Sequence, residues 1–357
     1  MGYTAADITE LDDVQHTRLR PAVNLGQDVR NTALREIVDN AIEEVAVPSH
    51  GGSTVTITLH ADGSVTVADD GRGLPVDSDP VTGKNGIVKT LGTARAGGKF
   101  SAHTDAASTG AGLNGIGAAA AVFISARTDV TVLRDGKTYT QSFGDGYPGT
   151  FEGAEFDPAA PFLRNDTQKL RGAANRTPGA HGTAVRILLD PTVAPDSSLD
   201  VAEVLLRAQA AARMCPGVHL VVIDEGWPDG EIPEALTRRF DGPWGTDALL
   251  ALMCTAAGMP QPEVQLLVEG AGSYTTGRGP TPMRWSLAAG PAEPATVAAF
   301  CNTVRTPNGG SHLTAAVKGL TEALAEKASR MRDLGLAKGE DGPEAQDFAA
   351  VTALAID

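Results

Sequence analysis

Two Asp-Gly steps, Asp62-Gly63 and Asp135-Gly136, each stand between two short runs rich in Val and Thr, and they restrict the fold of this chain tightly. An Asp-Gly pair supplies the positive φ angles that a two-residue hairpin turn demands. The flanking runs, Thr54 to His60 with Ser64 to Ala68 and Val130 to Leu133 with Thr138 to Phe143, have the β-branched content of strands. Further strand runs at Gly182 to Leu189 and Val218 to Ile223 extend the pattern, and the hairpins predict a largely antiparallel sheet. From Asn31 to Val45 the period changes: Leu34, Ile37, Val38, Ala41, Ile42 and Val45 recur at helical spacing, so one helix face is buried. A second helix is expected from Val201 to Met214, closed by Pro216-Gly217. The expected fold is therefore α/β in two layers, a sheet covered by helices.

The chain has 357 residues, enough for two domains at roughly 100–200 residues each. A Pro- and Gly-rich passage from Gly226 to Gly245 is the natural divide and places the domains at 1–238 and 239–357. Beyond it come a helix near Asp247 to Ala257 and strands near Val264 to Glu269, Met283 to Ala288 and Ala298 to Val304. Pro307-Asn308-Gly309-Gly310 then turns the chain into a long helix from about Ser311 to Arg332. The net charge of -15 argues against a broad phosphate-binding surface, because duplex affinity comes chiefly from Lys and Arg. Three widely spaced cysteines, Cys215, Cys254 and Cys301, form neither a disulfide framework nor a zinc site. No stretch approaches the ~18 apolar residues of a membrane span, so the expectation is a cytoplasmic protein without membrane contact.

The candidate chemistry lies between the first helix and the glycine clusters. Glu36 and Asn40 are one helical turn apart on the face opposite Ile37 and Val38, where a carboxylate and an amide oxygen can orient a water and ligate Mg²⁺. Strand Ser64 to Ala68 runs into Asp69-Asp70-Gly71-Arg72-Gly73-Leu74-Pro75, where a carboxylate can accept a hydrogen bond from a ligand amino group while glycine lets the backbone approach. Ala96-Gly97-Gly98-Lys99-Phe100 and Gly110-Ala111-Gly112-Leu113-Asn114-Gly115-Ile116-Gly117 precede an Ala-rich helix, a pattern suited to backbone amides that cradle phosphates. The second run contains G-x-G-x-x-G, but the loop-like Ser101 to Thr109 stands where a dinucleotide-binding turn needs a strand. A Walker loop is excluded because Phe100 follows Lys99 where Ser or Thr is required.

In this order the blocks resemble the ATPase region of DNA gyrase B and related type IIA topoisomerases, members of the GHKL ATPase superfamily. The resemblance rests on Arg18-Leu19-Arg20-Pro21, Glu36-Ile37-Val38-Asp39-Asn40-Ala41, Asp69-Asp70-Gly71-Arg72-Gly73, Ala96 to Phe100, Gly112 to Gly117 and His181-Gly182-Thr183. Asn302-Thr303-Val304 through Gly309-Gly310-Ser311-His312-Leu313 looks like the family's transducer domain. The chain departs from the family pattern at Ala22-Val23-Asn24-Leu25-Gly26, where members usually carry Gly-Met-Tyr-Ile-Gly, and it reaches Asp357 before a Gln-Thr-Lys loop.

The resemblance implies a Bergerat ATP-binding domain followed by a transducer domain similar to ribosomal protein S5, with ATP and Mg²⁺ as ligands. Glu36 would be the general base, Asn40 the Mg²⁺ ligand and Asp69 the acceptor for the adenine amino group, helped by Thr183 and a water near Gly73. Gly112, Leu113, Asn114, Gly115, Ile116 and Gly117 would offer backbone amides to the phosphates, Lys99 a nearby cation, and Arg72 and Arg134 the mouth of the pocket. The implied function is ATP-driven dimer closure coupled to DNA strand passage, with a homodimer, a gyrase A-type subunit and DNA as partners in the full assembly. A stand-alone GHKL ATPase, or a nucleotide-dependent dimerisation module without topoisomerase activity, remains as the alternative.

Overall fold

The structure is a computed structural model that describes residues 9–96, 115–158, 173–174, 179–194, 208–210, 213, 215 and 217–227. Farther on it describes the strands 265–276, 279–289, 297–301, 304–305 and 352–356 and the helical positions 314–315, 318–319 and 322–323. The chain divides into two units, Met1–Ala212 with Gly217–Asp241, and Arg213–Pro216 with Gly242–Asp357.

In the first unit, helices α1 (Asp13–Leu19), α2 (Ala22–Leu25) and α3 (Val29–Ala46) precede the hairpin β1 (Thr54–His60) and β2 (Val65–Asp69). Helices α4 (Gly86–Leu91) and α5 (Gly117–Phe123) follow. The strands then continue with β3 (Ser125–Arg134), β4 (Lys137–Gly144), β5 (Tyr147–Glu152), β6 (Glu155–Pro158), β7 (Ala173–Ala174), β8 (Gly182–Leu189) and β9 (His219–Glu225). They form one sheet in the order β6-β5-β4-β3-β8-β2-β1-β9, with β7 added beside β4.

Both expected hairpins form, but their turns differ: between β1 and β2 the turn runs from Ala61 to Ser64 and only Gly63 (φ 78°) has a positive φ. At the β3–β4 turn Asp135 has φ 53° and Gly136 φ 71°, the double positive φ of a type I′ turn. A second turn of that kind, Asp145 (φ 48°) and Gly146 (φ 85°), joins β4 to β5 and escaped the sequence reading. As expected, most strand pairs are antiparallel; the exception in this sheet is β9, which runs parallel to β1 from Thr54 opposite His219 to His60 opposite Glu225.

Alternation fixes which face of the sheet is dry. Val55, Ile57 and Leu59 of β1 and Val65 and Val67 of β2 are buried, while the threonines between them are half-exposed. Against that apolar face α3 lays Leu34, Ile37, Val38, Ala41, Ile42 and Val45, all buried. Each of these Leu, Ile and Val side chains contributes about 1.5–3 kcal/mol of transfer free energy, so this layer dominates the stability of the unit. The small side chains Ala119, Ala120 and Ala121 let α5 pack beside α3. Arg18 fastens α1 to the same layer, donating from Nη1 to the Phe123 carbonyl at 3.0 Å and pairing with Asp190 and Asp145.

The adjacent carboxylates Asp69 and Asp70 separate cleanly. Asp70 Oδ1 accepts from the backbone N–H groups of both Ser53 and Thr54 at 2.7 Å, tying the end of β2 to the start of β1. Removing this acceptor strands two donors in a partly buried turn. Asp70→Ala is therefore expected to lower the unfolding free energy by about 1–3 kcal/mol. Urea denaturation checks it, with Asp70→Asn, which keeps one acceptor oxygen, as the milder control.

The second unit contains a five-stranded sheet among its described residues, built from β10 (Gln265–Thr276), β11 (Gly279–Ala289), β12 (Val297–Cys301), β13 (Val304–Arg305) and β14 (Thr352–Ile356). Its order is β10-β11-β14-β12-β13, with β14 parallel to β12. The strands expected near Val264 and Met283 are longer than their expected spans and pair as one hairpin, and β14 was not foreseen. The helix expected at Asp247 to Ala257 lies outside the described residues, as does most of the one at Val201 to Met214. Of the long helix from Ser311, the positions described are helical.

Candidate nucleotide site

Helix α3 presents Glu36, Asn40 and Glu44 at successive i, i+4 spacing, so the three lie in one row that spans about 12 Å. Ile37, Val38, Ala41 and Val45 hold the opposite side of the helix in the core, which orients the row. At one end of the row the Glu36 carboxylate lies against Gly117, the first residue of α5: a Cβ placed there would fall 1.8 Å from Glu36 Oε2. Asn40, in the middle, is exposed. At the other end Glu44 meets the loop that leaves β2, and its Cγ lies 2.4 Å from where a Cβ on Gly71 would be.

That loop carries the other half of the site. Asp69, the last residue of β2, accepts on Oδ1 from the N–H of Gly71 at 2.9 Å and of Thr183 at 3.4 Å. Among the described residues these bonds fall on one oxygen, which leaves Oδ2 for a ligand. Thr183 Oγ1 accepts from the Leu74 N–H at 3.0 Å, so its own hydroxyl hydrogen remains to be donated. Gly73, at φ 77°, brings the chain against β3 and β8, where Arg134 Nη1 donates to the Gly73 carbonyl at 2.7 Å. His181 Nδ1 lies 2.6 Å from the Gly71 carbonyl, a second clamp on the same loop.

Arg72 is not a freely solvated cation. It grips Glu44 in a fork, Nε to Oε1 at 2.9 Å and Nη2 to Oε2 at 3.0 Å, and its backbone N–H donates to Oε1 as well. With the Arg72 side chain 54% exposed, the pair contributes less than about 1 kcal/mol to stability, and its effect is to hold the loop in register with α3. Sequence reasoning missed Glu44. The signal was available in its place one turn beyond Asn40, but its partner lies 28 residues away.

The carboxylates of this region titrate differently. Burial pushes the Glu44 carboxyl up, but the hydrogen bonds and charge of Arg72, with His50 nearby, outweigh that and hold it below the usual range. Among the described residues no cation compensates Asp69. Burial raises its pKa to about 7, the charges of Glu44 and Asp70 add to the rise, and the hydrogen bonds from Gly71 and Thr183 only moderate it.

The structure thus brings Asp69, Arg72, Gly73, Arg134 and Thr183 together, and it sets Glu36 beside Gly117 with Ile116 and Gly115 leading into α5. Lys99, Gly112, Leu113 and Asn114 lie outside the described residues. Among the described residues no group of three His, Cys, Asp or Glu could hold a metal by itself. A divalent cation here would draw its oxygen ligands mainly from a bound phosphate chain and water, with Asn40 as the protein ligand. That donor set suits Mg²⁺.

Comparison with known proteins identifies relatives of this fold. Residues 29–154 match the family described as histidine kinase-, DNA gyrase B-, and HSP90-like ATPase. Over 357 residues the chain is 83% identical to topoisomerase subunit TopoN of Mycolicibacterium smegmatis, covering all of this chain and 51% of that protein. It is 28% identical to the DNA gyrase B protein of Thermotoga maritima, covering 97% of this chain and 49% of the relative. The chain spans about half the length of the curated relatives it matches. Among solved structures, the 43K ATPase domain of Thermus thermophilus gyrase B, determined in complex with an aminocoumarin, superposes with a TM-score of 0.62 at 22% identity. That match covers 96% of this chain and 80% of the other. From Val29 through the Asp69 loop to the end of β5, then, residues 29–154 match the histidine kinase-, DNA gyrase B-, and HSP90-like ATPases, and the fold is that of the gyrase B ATPase domain.

Proposed function

We propose that the row on α3 and the Asp69 loop form an ATP site, and that the chain is the ATP-hydrolysing region of a type IIA topoisomerase. The observation that carries this reading is Asp69: a half-buried carboxyl at a strand end, without a compensating cation among the described residues, whose Oδ2 is left over for a hydrogen-bond donor such as the adenine amino group. Thr183 would assist at the same edge. Asn40 would hold Mg²⁺, which when bound neutralises phosphate charge, and the backbone amides of the glycine run Gly112 to Gly117 would receive the phosphates. Arg134 and Arg72 would border the pocket mouth, with Lys99 as a further cation. Glu36, one turn from Asn40, would take the proton of the attacking water.

The relatives' names suggest how the site is used. In the assembled protein, nucleotide binding would close a homodimer, with the region from Gly242 onward acting as a transducer toward a gyrase A-type subunit and DNA. The described residues contain no helix long and apolar enough to cross a membrane, and a cytoplasmic setting fits a DNA-directed function.

The adenine assignment is tested by calorimetry with a non-hydrolysable ATP analogue. Asp69→Asn should weaken binding by about 1.5–3 kcal/mol, the worth of a hydrogen bond to a charged acceptor. Unchanged affinity removes the assignment.

A pH dependence follows from the raised pKa. With Asp69 titrating near 7, an amino donor favours the ionised form, so nucleotide binding must drive off a proton below that pH. Affinity is expected to rise as pH increases from 6 to 8, by roughly tenfold, and to level off above. Below pH 7 calorimetry in buffers of different ionisation enthalpy should show proton release, and Asp69→Asn should abolish both effects. The same shift acts oppositely on the empty protein. The folded state holds the Asp69 proton more tightly than the unfolded chain, so this group's contribution to stability falls as pH rises between about 4 and 7.

A further inference from the structure

Resting on the reading of Glu36 as the base, we propose that Gly117 is a positioning residue for it: the absence of a Cβ at Gly117 leaves the space in which the Glu36 carboxylate lies. A Cβ on Gly117 would fall 1.8 Å from Glu36 Oε2, 2.3 Å from Cδ and 2.8 Å from Cγ. Heavy atoms in contact keep about 3.5 Å apart, so the whole end of the side chain would have to move, not a single oxygen.

The backbone does not ask for glycine at this position. Gly115 has φ 58° and needs glycine for its conformation, whereas Gly117 is absent from the positive-φ positions and opens helix α5. Gly117 stands just inside the N-cap residue Ile116, a helical position where alanine is favoured over glycine, and α5 continues directly through Ala118, Ala119, Ala120 and Ala121. Local preference therefore favours alanine at residue 117, and the obstacle is a side chain on another helix. Because alanine keeps the backbone N–H, any contact from that amide to a phosphate survives the substitution. What changes is the place of the carboxylate, pushed along the α3 row away from the water it would activate. A displacement of this size at a reacting group costs catalysis steeply, on the order of 10²-fold for 1 Å.

The test is a cycle of Gly117→Ala, Glu36→Gln and the double substitution, read by steady-state phosphate release and by affinity for a non-hydrolysable ATP analogue. Gly117→Ala should lower kcat at least tenfold, leave analogue affinity within about threefold of the parent, and leave the melting temperature unchanged or higher. In the Glu36→Gln background it should lower the rate no further, since it acts through that carboxylate. Should Gly117→Ala instead cost stability, Glu36→Ala removes the atoms in conflict and must restore it. A parental kcat in Gly117→Ala overturns the proposal, as do an equal further loss in the Glu36→Gln background, a fall in affinity that matches the fall in kcat, and a lost stability that Glu36→Ala fails to restore. A Glu36→Gln protein that hydrolyses ATP at the parental rate overturns the base reading itself, and the two failures are thereby told apart.

Discussion

Glu36→Gln is expected to reduce ATP hydrolysis by about 10²- to 10⁴-fold, the usual contribution of a positioned general base, equivalent to roughly 3–5 kcal/mol of barrier. The substitution is nearly isosteric and leaves the packing against Gly117 in place, so structure and nucleotide affinity should stay close to the parent. As the proposed base, the carboxylate would act on the attacking water in the transition state and add little to ground-state binding, so kcat should fall while KM moves little. Asn40→Ala should behave differently, weakening metal-dependent binding before it affects chemistry, because in the proposed site the exposed Asn40 would supply the oxygen ligand to Mg²⁺. Single-turnover phosphate release in saturating nucleotide separates the two. A Glu36→Gln protein that hydrolyses at the parental rate would show that the water is activated elsewhere, and the α3 row would then be a binding surface only.

The sequence made this helix readable because its apolar period and its polar row are both local. Leu34 to Val45 repeats within a few residues, and Glu36 and Asn40 stand one turn apart. The Asp62-Gly63 and Asp135-Gly136 hairpins were legible for the same reason, since the turn residues and the strands they join are contiguous. Asp145-Gly146 carries the same signal, but Gly144, Pro148 and Gly149 around it dilute the β-branched pattern that identifies a strand. Nothing local indicates that β9 runs parallel to β1: their pairing joins Thr54 to His219 across the whole first unit. Glu44 illustrates the same limit within the site, as an ordinary helix carboxylate until the fold brings Arg72 to it. Asp69 and Asp70 are chemically identical neighbours, and only the register of β2 between β1 and β8 makes one a structural tie and leaves the other to the pocket.

Gly182→Ala is expected to be the most damaging small substitution in this region. Gly182 begins β8 at φ 134°, a conformation L-residues avoid, and a Cβ there would lie 2.0 Å from the Asp69 carbonyl oxygen and 2.9 Å from its carbonyl carbon. Both partners in this conflict are backbone, so no rotamer change relieves it, in contrast to Gly117, where the obstacle is a movable side chain. The backbone conformation alone costs about 1–3 kcal/mol, and forcing β8 away from β2 adds about 1–3 kcal/mol more. Gly136→Ala is the control, with φ 71° but nothing within 4 Å of the new Cβ, so it should show the conformational cost alone. The displacement also acts on function, because Thr183, the next residue, pairs with Asp69 across β8 and β2 and donates to its Oδ1. Gly182→Ala should therefore lose nucleotide affinity by more than tenfold even at temperatures where it remains folded, whereas Gly136→Ala should bind as the parent does. Urea denaturation of both variants, with calorimetry using the non-hydrolysable analogue, decides the matter: equal stability losses in the two, or parental affinity in Gly182→Ala, would mean that the close approach of Gly182 to Asp69 does not shape the pocket.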